Sequence, residues 1–141
     1  MREIKYRAVI NKDIYYPEIF SFDSRGISFQ CELGYVSTDK FDQYTGRKDS
    51  EGVEIYEGDI VNMSYYHYSS EYTGYDDDEG SYIGKIMFYP SKGFVLTKAR
   101  KISGIDCKTH KVKHAMQISA YRCKIIGNIH KNPELLEPTN D

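Results

Sequence analysis

Residues 41–61 read FDQYTGRKDSEGVEIYEGDIV, from Phe41 to Val61, and this stretch decides the fold class. Turn chemistry recurs at Tyr44-Thr45-Gly46 and again at Asp49-Ser50-Glu51-Gly52, around short apolar runs. The alternation in Val53-Glu54-Ile55 predicts a strand with Val53 and Ile55 on one face. Glu57-Gly58-Asp59 then breaks the line. Gly58 is free to take φ > 0, and the Asp59 side chain can satisfy backbone N–H groups nearby, before Ile60-Val61 opens a new strand. The pattern is that of a folding nucleus of hairpins. It does not resemble a catalytic loop.

Outward from it, the same alternation appears on both sides. Ile4, Tyr6 and Ala8 alternate with Lys5 and Arg7; Asn11-Lys12-Asp13 is a turn; Ile14 to Phe22 is apolar and aromatic, with Pro17 marking an edge or a break. Asp23-Ser24-Arg25-Gly26 turns the chain into Ile27, Phe29 and Cys31, so residues 3–33 are expected to form a three-strand meander. Residues 34–40 read as a connection with a single helical turn capped by Ser37-Thr38-Asp39. After Ile60 to about Ser64, Tyr65 through Gly80 predicts a long mobile loop, in which tyrosines alternate with small polar residues and Asp76-Asp77-Asp78-Glu79 repel one another. Tyr82 to Tyr89 is a strand stopped by Pro90, and Ser91-Lys92-Gly93 closes a hairpin into Phe94-Val95-Leu96. Tyr121 to Ile129 closes as a strand.

The expected fold is therefore mainly β: an N-terminal β-meander plus an SH3-like small barrel with a long insertion loop. An α+β alternative places a short helix between residues 99 and 118, where Val112, Ala115, Met116 and Ser119 have helical spacing. The predicted organisation is an N-terminal β subdomain over 1–48, a barrel subdomain over 49–136 with a mobile loop at 65–80, and a disordered tail at 137–141. An SH3-like barrel carries no function by itself.

Three segments resemble one family in order and spacing. Tyr44-Thr45-Gly46, Asp49, Gly52 and Glu54 to Val61 are similar to the central signature of the YopX family of phage and prophage proteins. The opening Met1 to Ala8 and the ending Ile126 to Leu136 agree with it. The resemblance implies a phage-encoded, intracellular, β-rich protein of unassigned activity. It brings no catalytic or ligand residues that could be carried over.

Composition narrows the class further. A chain of 141 residues with 40% hydrophobic content is long enough for a core, and its 14 Tyr without Trp suit thin sheets with one wet face. Cys31, Cys107 and Cys123 predict a reducing compartment without a disulfide framework. Met1-Arg2-Glu3 opens no apolar signal region, and no run spans a bilayer, so a cytoplasmic protein of the phage's host is expected. The net charge of −2 hides a split: residues 1–91 hold 9 Lys/Arg against 17 Asp/Glu, and residues 92–131 hold 10 against Asp106 alone. Such a split marks either a nucleic-acid contact or two parts of one fold that neutralise each other.

Candidate sites follow from these features. Cys107, His110, His114 and Cys123 are four zinc-type ligands in seventeen residues, but the order is not a common finger pattern and lysines flank the histidines, so solvated histidines and half-buried thiols are the preferred reading. Asp76 to Glu79 are consecutive rather than spaced as calcium loops require. No nucleophile elbow, Cys–His pair or phosphate cradle is visible, so no enzyme, cofactor or metal is expected. Two binding readings remain. Tyr65, Tyr66, Tyr68, Tyr72 and Tyr75 would form a protein-contact or self-association surface of rigid amphipathic rings. Arg100, Lys101, Lys111, Lys113, Arg122 and Lys124 would form a basic nucleic-acid face. The preferred expectation is a non-enzymatic protein-interaction or self-assembly module, with nucleic-acid binding as the alternative.

Overall fold

A computed structural model of the chain describes residues 4–67, 78–104 and 108–137. In chain order its strands are β1 Tyr6–Ile10, β2 Asp13–Tyr15, β3 Phe20–Asp23, β4 Gly26–Cys31, β5 Gly34–Thr38, β6 Phe41–Lys48, β7 Glu54–Tyr56, β8 Asp59–His67, β9 Asp78–Tyr89, β10 Gly93–Ser103, β11 Thr109–Lys111, β12 Met116–Gln117 and β13 Cys123–Asn128, with short 3-10 turns at Ala120–Arg122 and Pro133–Leu136. The fold is mainly β. It has three antiparallel sheets, ordered β2-β1-β6-β7, β3-β4-β5 and β11-β10-β9-β8-β13, with β12 paired to β10.

The N-terminal region is arranged differently from a simple meander. β1 pairs with β2 and with β6, so the first strand is tied to the signature, while β3, β4 and β5 form a sheet of their own. Residues 34–38 are strand β5, not a helical turn. Gly34 at φ 99° closes the turn after Cys31, and Val36 pairs with Phe29. One core lies here, built on Ala8, Ile27 and Phe29, with Tyr6, Phe20, Phe22 and Phe41 edge-to-face around it. The β6–β7 hairpin spans residue 48, so one sheet contains strands from either side of that position.

The second core gathers Ile55, Val61, Met63, Ile86, Leu96, Ala99 and Cys123 inside the larger sheet, which curls as a half-barrel. Two expectations are corrected in this sheet. The strand opened by Ile60 does not stop at Ser64 but runs to His67, and β9 begins at Asp78, so the connection is narrower than 65–80. The reason is Gly80: opposite Tyr65, a Cβ there would stand 2.8 Å from the Tyr65 hydroxyl, and the space it leaves lets the Tyr65 ring settle on Tyr82 at 5.1 Å. Among the described residues, 99–118 contain no helix. β10 continues through Ser103 and pairs with β11 and β12, so Met116 lies opposite Leu96 on a strand. Val53 and Ile55 also part company. Val53 precedes β7 and is 50% exposed, whereas Ile55 is buried.

Candidate functional site

The signature segment folds into a buried ionic joint between the sheets. Arg7 on β1 points its guanidinium at two carboxylates: Nε donates to Asp42 Oδ2 of β6 at 2.8 Å, and Nη1 donates to Asp59 Oδ1 at the start of β8 at 2.6 Å. Nη2 donates to the Glu57 carbonyl, and the Tyr56 ring lies 5.1 Å beneath the cation. Asp59 Oδ2 accepts the Tyr56 N–H, which is the backbone capping expected of this turn. His130, just beyond β13, places Nε2 2.8 Å from Asp42 Oδ2. Gly58 sits at φ 88° within the joint, donating its N–H to Ile86 and accepting from Ile129.

Electrostatics explain why the joint is closed. Burial alone would lower the Arg7 pKa, but Asp59 and Asp42 together outweigh it and hold the cation charged. Burial pushes the Asp59 carboxyl up from its ordinary value against the pull of Arg7 and of the Tyr56 N–H. One guanidinium serves two carboxylates, so their interests differ. Burial, with Glu54 nearby, pushes the Tyr56 phenol up to about 12. Arg7, Asp42 and Asp59 are all buried, with Arg7 bonded to both carboxylates and to the Glu57 carbonyl, so that the joint ties β1, β6 and the start of β8 together.

A second clasp fixes the signature to the larger sheet. Asp49 Oδ1 accepts the Glu51 and Val53 N–H groups and Oδ2 accepts Ile125 N–H of β13, while Ser50 N–H donates to the Cys123 carbonyl. Burial would raise the Asp49 pKa, but these three N–H groups and Lys124 bring it below the usual carboxylate range. The edge of β13 is thereby covered.

The basic candidates divide. Register places Lys111, Arg100, Ile83, Asn62 and Lys124 in one cross-strand row, on one face of the sheet. Lys101 belongs to the next row, on the opposite face, with its Nζ 4.9 Å over the Tyr65 ring. Arg100 donates to the Leu135 and Glu137 carbonyls and so ties down the C-terminal 3-10 turn. Arg122 lies 5.2 Å over the Tyr121 ring, Lys124 is 3.6 Å from Glu51, and Lys113 is exposed beyond β11. Of the tyrosines, Tyr65 is buried and Tyr66 is exposed on β8; Tyr68, Tyr72 and Tyr75 lie outside the described residues. Cys107 also lies outside them. His110 and Cys123 sit in one cross-strand row on the two outer strands of the sheet, and among the described residues no group of three or more His, Cys, Asp or Glu is placed to hold a metal ion. Cys123 is fully buried, and burial pushes its thiol up to about 11.

An open apolar face is the feature missed in the sequence. On the sheet β3-β4-β5, Ser21, Ser28 and Ser37 form one cross-strand row, with the Ser28 and Ser37 hydroxyls 2.8 Å apart. Beside this floor of small side chains opens a groove of about 670 Å³, walled by Tyr16, Ile19 and Tyr35. Ile19 is 88% exposed, Tyr35 73%, Leu33 65% and Tyr16 61%. The available signal was the run Ile14 to Phe22, which carries more apolar residues than two short strands can bury. A second cleft, of about 850 Å³, lies between Arg47, Lys92, Phe94 and Met116, where Arg47 donates to the Ile118 carbonyl.

The family model described as YopX protein matches residues 4–137. None of the curated proteins matches. Among solved structures, the crystal structure of protein EF1440 from Enterococcus faecalis aligns over 97% of this chain and 100% of that one, with 22% identity and a TM-score of 0.48.

Proposed function

This chain belongs to the YopX family, and on that footing we propose that it is a phage-type accessory protein, non-enzymatic, that acts in the host cytoplasm by binding another protein through the face formed by Tyr16, Ile19 and Tyr35. The carrying observation is that these three large side chains line one groove and are each more than half exposed. Apolar side chains exposed in this way gain from burial, which is the composition of an interface centre. The signature region supports the same reading, because its polar groups are consumed within the fold. Cys31 and Cys123 are unbridged, and among the described residues no helix is long and apolar enough to cross a membrane.

Co-purification from expressing cells, with and without nuclease, tests this proposal against the nucleic-acid alternative. The wild type is compared with the double variant Ile19→Asp, Tyr35→Ser, whose changes lie on exposed positions and should leave the thermal midpoint unchanged. A partner retained after nuclease and lost in the variant supports the proposal. Material lost with nuclease, or a partner indifferent to the variant, refutes it.

A further inference from the structure

The open face lies beside a free sheet edge, and the two together describe a kind of partner. β3 pairs with β4 alone, so one side of Phe20–Asp23 is an edge, and among the described residues no other backbone hydrogen bond reaches it. Such edges accept an added strand, whose main-chain hydrogen bonds supply affinity and whose alternate side chains enter neighbouring pockets. The groove is placed for this. Its lining includes Ile19 just before the edge strand and Phe20 and Ser21 on it, and then crosses the floor to Tyr35 on β5.

Charge at the groove has one sign. Glu18 is the only charged residue in the lining, and Glu32, in the turn after β4, is exposed next to it in sequence from Cys31, another lining residue. Neither carboxylate forms an ion pair among the described residues. By contrast Asp23, at the far end of β3, is already paired with Arg25.

We propose that β3 is an acceptor edge for an extended segment of another protein, in which apolar residues alternate with basic ones. The segment pairs with Phe20–Asp23 and sets an apolar side chain between Ile19, Tyr16 and Tyr35; its basic side chains project to the other face of the added strand, and where it runs past Phe20 one of them reaches Glu18, which precedes β3. This deepens the binding function proposed above and rests on it.

Fluorescein-labelled octapeptides test the inference on the full chain by anisotropy. The probes are an alternating Val-Lys peptide, the same peptide N-methylated at alternate residues so that one edge loses its donors, and an alternating Val-Glu peptide. Expected are saturable binding of Val-Lys, at least a tenfold loss on N-methylation, weaker binding of Val-Glu, and slowed hydrogen exchange confined to the β3 region. Glu18→Lys with Glu32→Lys should invert the preference between Val-Lys and Val-Glu, and Ile19→Ser with Tyr35→Ser should abolish both; all four positions are exposed, and melts confirm the fold. Equal binding of the methylated and unmethylated peptides overturns strand addition, and an uninverted preference overturns the acidic rim. Failure of every peptide to bind, with a nuclease-resistant partner still lost in Ile19→Asp, Tyr35→Ser, overturns this inference and leaves the proposed function standing. Light scattering that shows a dimer dispersed by Ile19→Ser also overturns it, by assigning the edge to a second copy.

Discussion

Arg7→Met removes the cation of the buried joint while keeping an apolar stem of similar length. It leaves Asp42 and Asp59, 7% and 2% exposed, without the guanidinium that neutralises them. His130 contacts Asp42 but not Asp59. Breaking a buried pair by deleting one partner costs about 3–5 kcal/mol, and for a chain of this size roughly 3–4 °C accompanies each kcal/mol, so the thermal midpoint at pH 7.5 should fall by roughly 10–20 °C. The loss has a pH signature. Burial already pushes Asp59 up in the folded protein, and without Arg7 nothing comparable pulls it down. A carboxyl whose folded pKa lies above its unfolded value, about 4, stabilises fully below that unfolded value and loses the contribution as pH rises through the folded pKa. The gap between wild type and variant should therefore narrow as pH falls from 7.5 towards 4.5. Adding Asp42→Asn and Asp59→Asn should recover much of the stability at pH 7.5. Urea melts followed by circular dichroism at several pH values read all of this. A loss below about 1 kcal/mol, the scale of an exposed pair, or a gap independent of pH, refutes the reasoning.

Three further outcomes follow from the same interior. Asp49→Ala strips acceptors from the N–H groups of Glu51, Val53 and Ile125 and should cost about 1–3 kcal/mol for each group left buried; because the Asp49 pKa is lowered, that contribution is present above the unfolded value and vanishes as pH falls through the folded one, so melts of wild type and variant should converge in acid. Gly58→Val places a branched side chain at φ 88°, with its Cβ 3.4 Å from the Asp42 carboxylate oxygens and Ile129, and should destabilise by more than the roughly 0.5–1 kcal/mol of a compatible change; an unchanged thermal midpoint would remove the role given to this turn. In a protein whose only cysteine is Cys123, the buried thiol, pushed up to about 11, should react with an aromatic disulfide reagent at the rate of unfolding rather than of encounter, and rapid labelling under native conditions would show the sheet to be open there.

The joint also clarifies what the family signature is for. Its acids are engaged within the fold. Arg7 takes two of them, Asp49 is spent on the edge of β13, Glu54 pairs with Lys5 and Glu57 accepts the Phe88 N–H. The charge split is partly resolved in the same way, with Lys124 beside Glu51 and Arg100 on the C-terminal carbonyls. The β3 face is a surface that this interior leaves open.

Local chemistry made much of the architecture legible before any coordinates. Alternation marked Tyr6, Ala8, Ile27 and Phe29 as strand residues, the positive φ values of Gly52 and Gly58 lie at the turns read from them, and Asp59 caps its own turn, whereas the turn read at Tyr44-Thr45-Gly46 is an irregularity inside β6. Each of these depends on backbone sterics or hydrogen bonds within a few residues, so a short window of sequence contains the whole cause. Tertiary structure alone decided the rest. Arg7 meets Asp42 and Asp59 across 35 and 52 residues, and His130 meets Asp42 across 88. Tyr65 and Tyr66 are neighbours of one residue type, yet the ring packed against Tyr82 is buried and the other is exposed, because the strand continues and Gly80 makes room on one face only. Arg100 and Lys101 are adjacent bases that the pleat sends to opposite faces. Which charges meet, and which apolar side chains stay uncovered, is settled by contacts between distant strands, and those follow from the packing of the whole chain rather than from the chemistry of any one stretch.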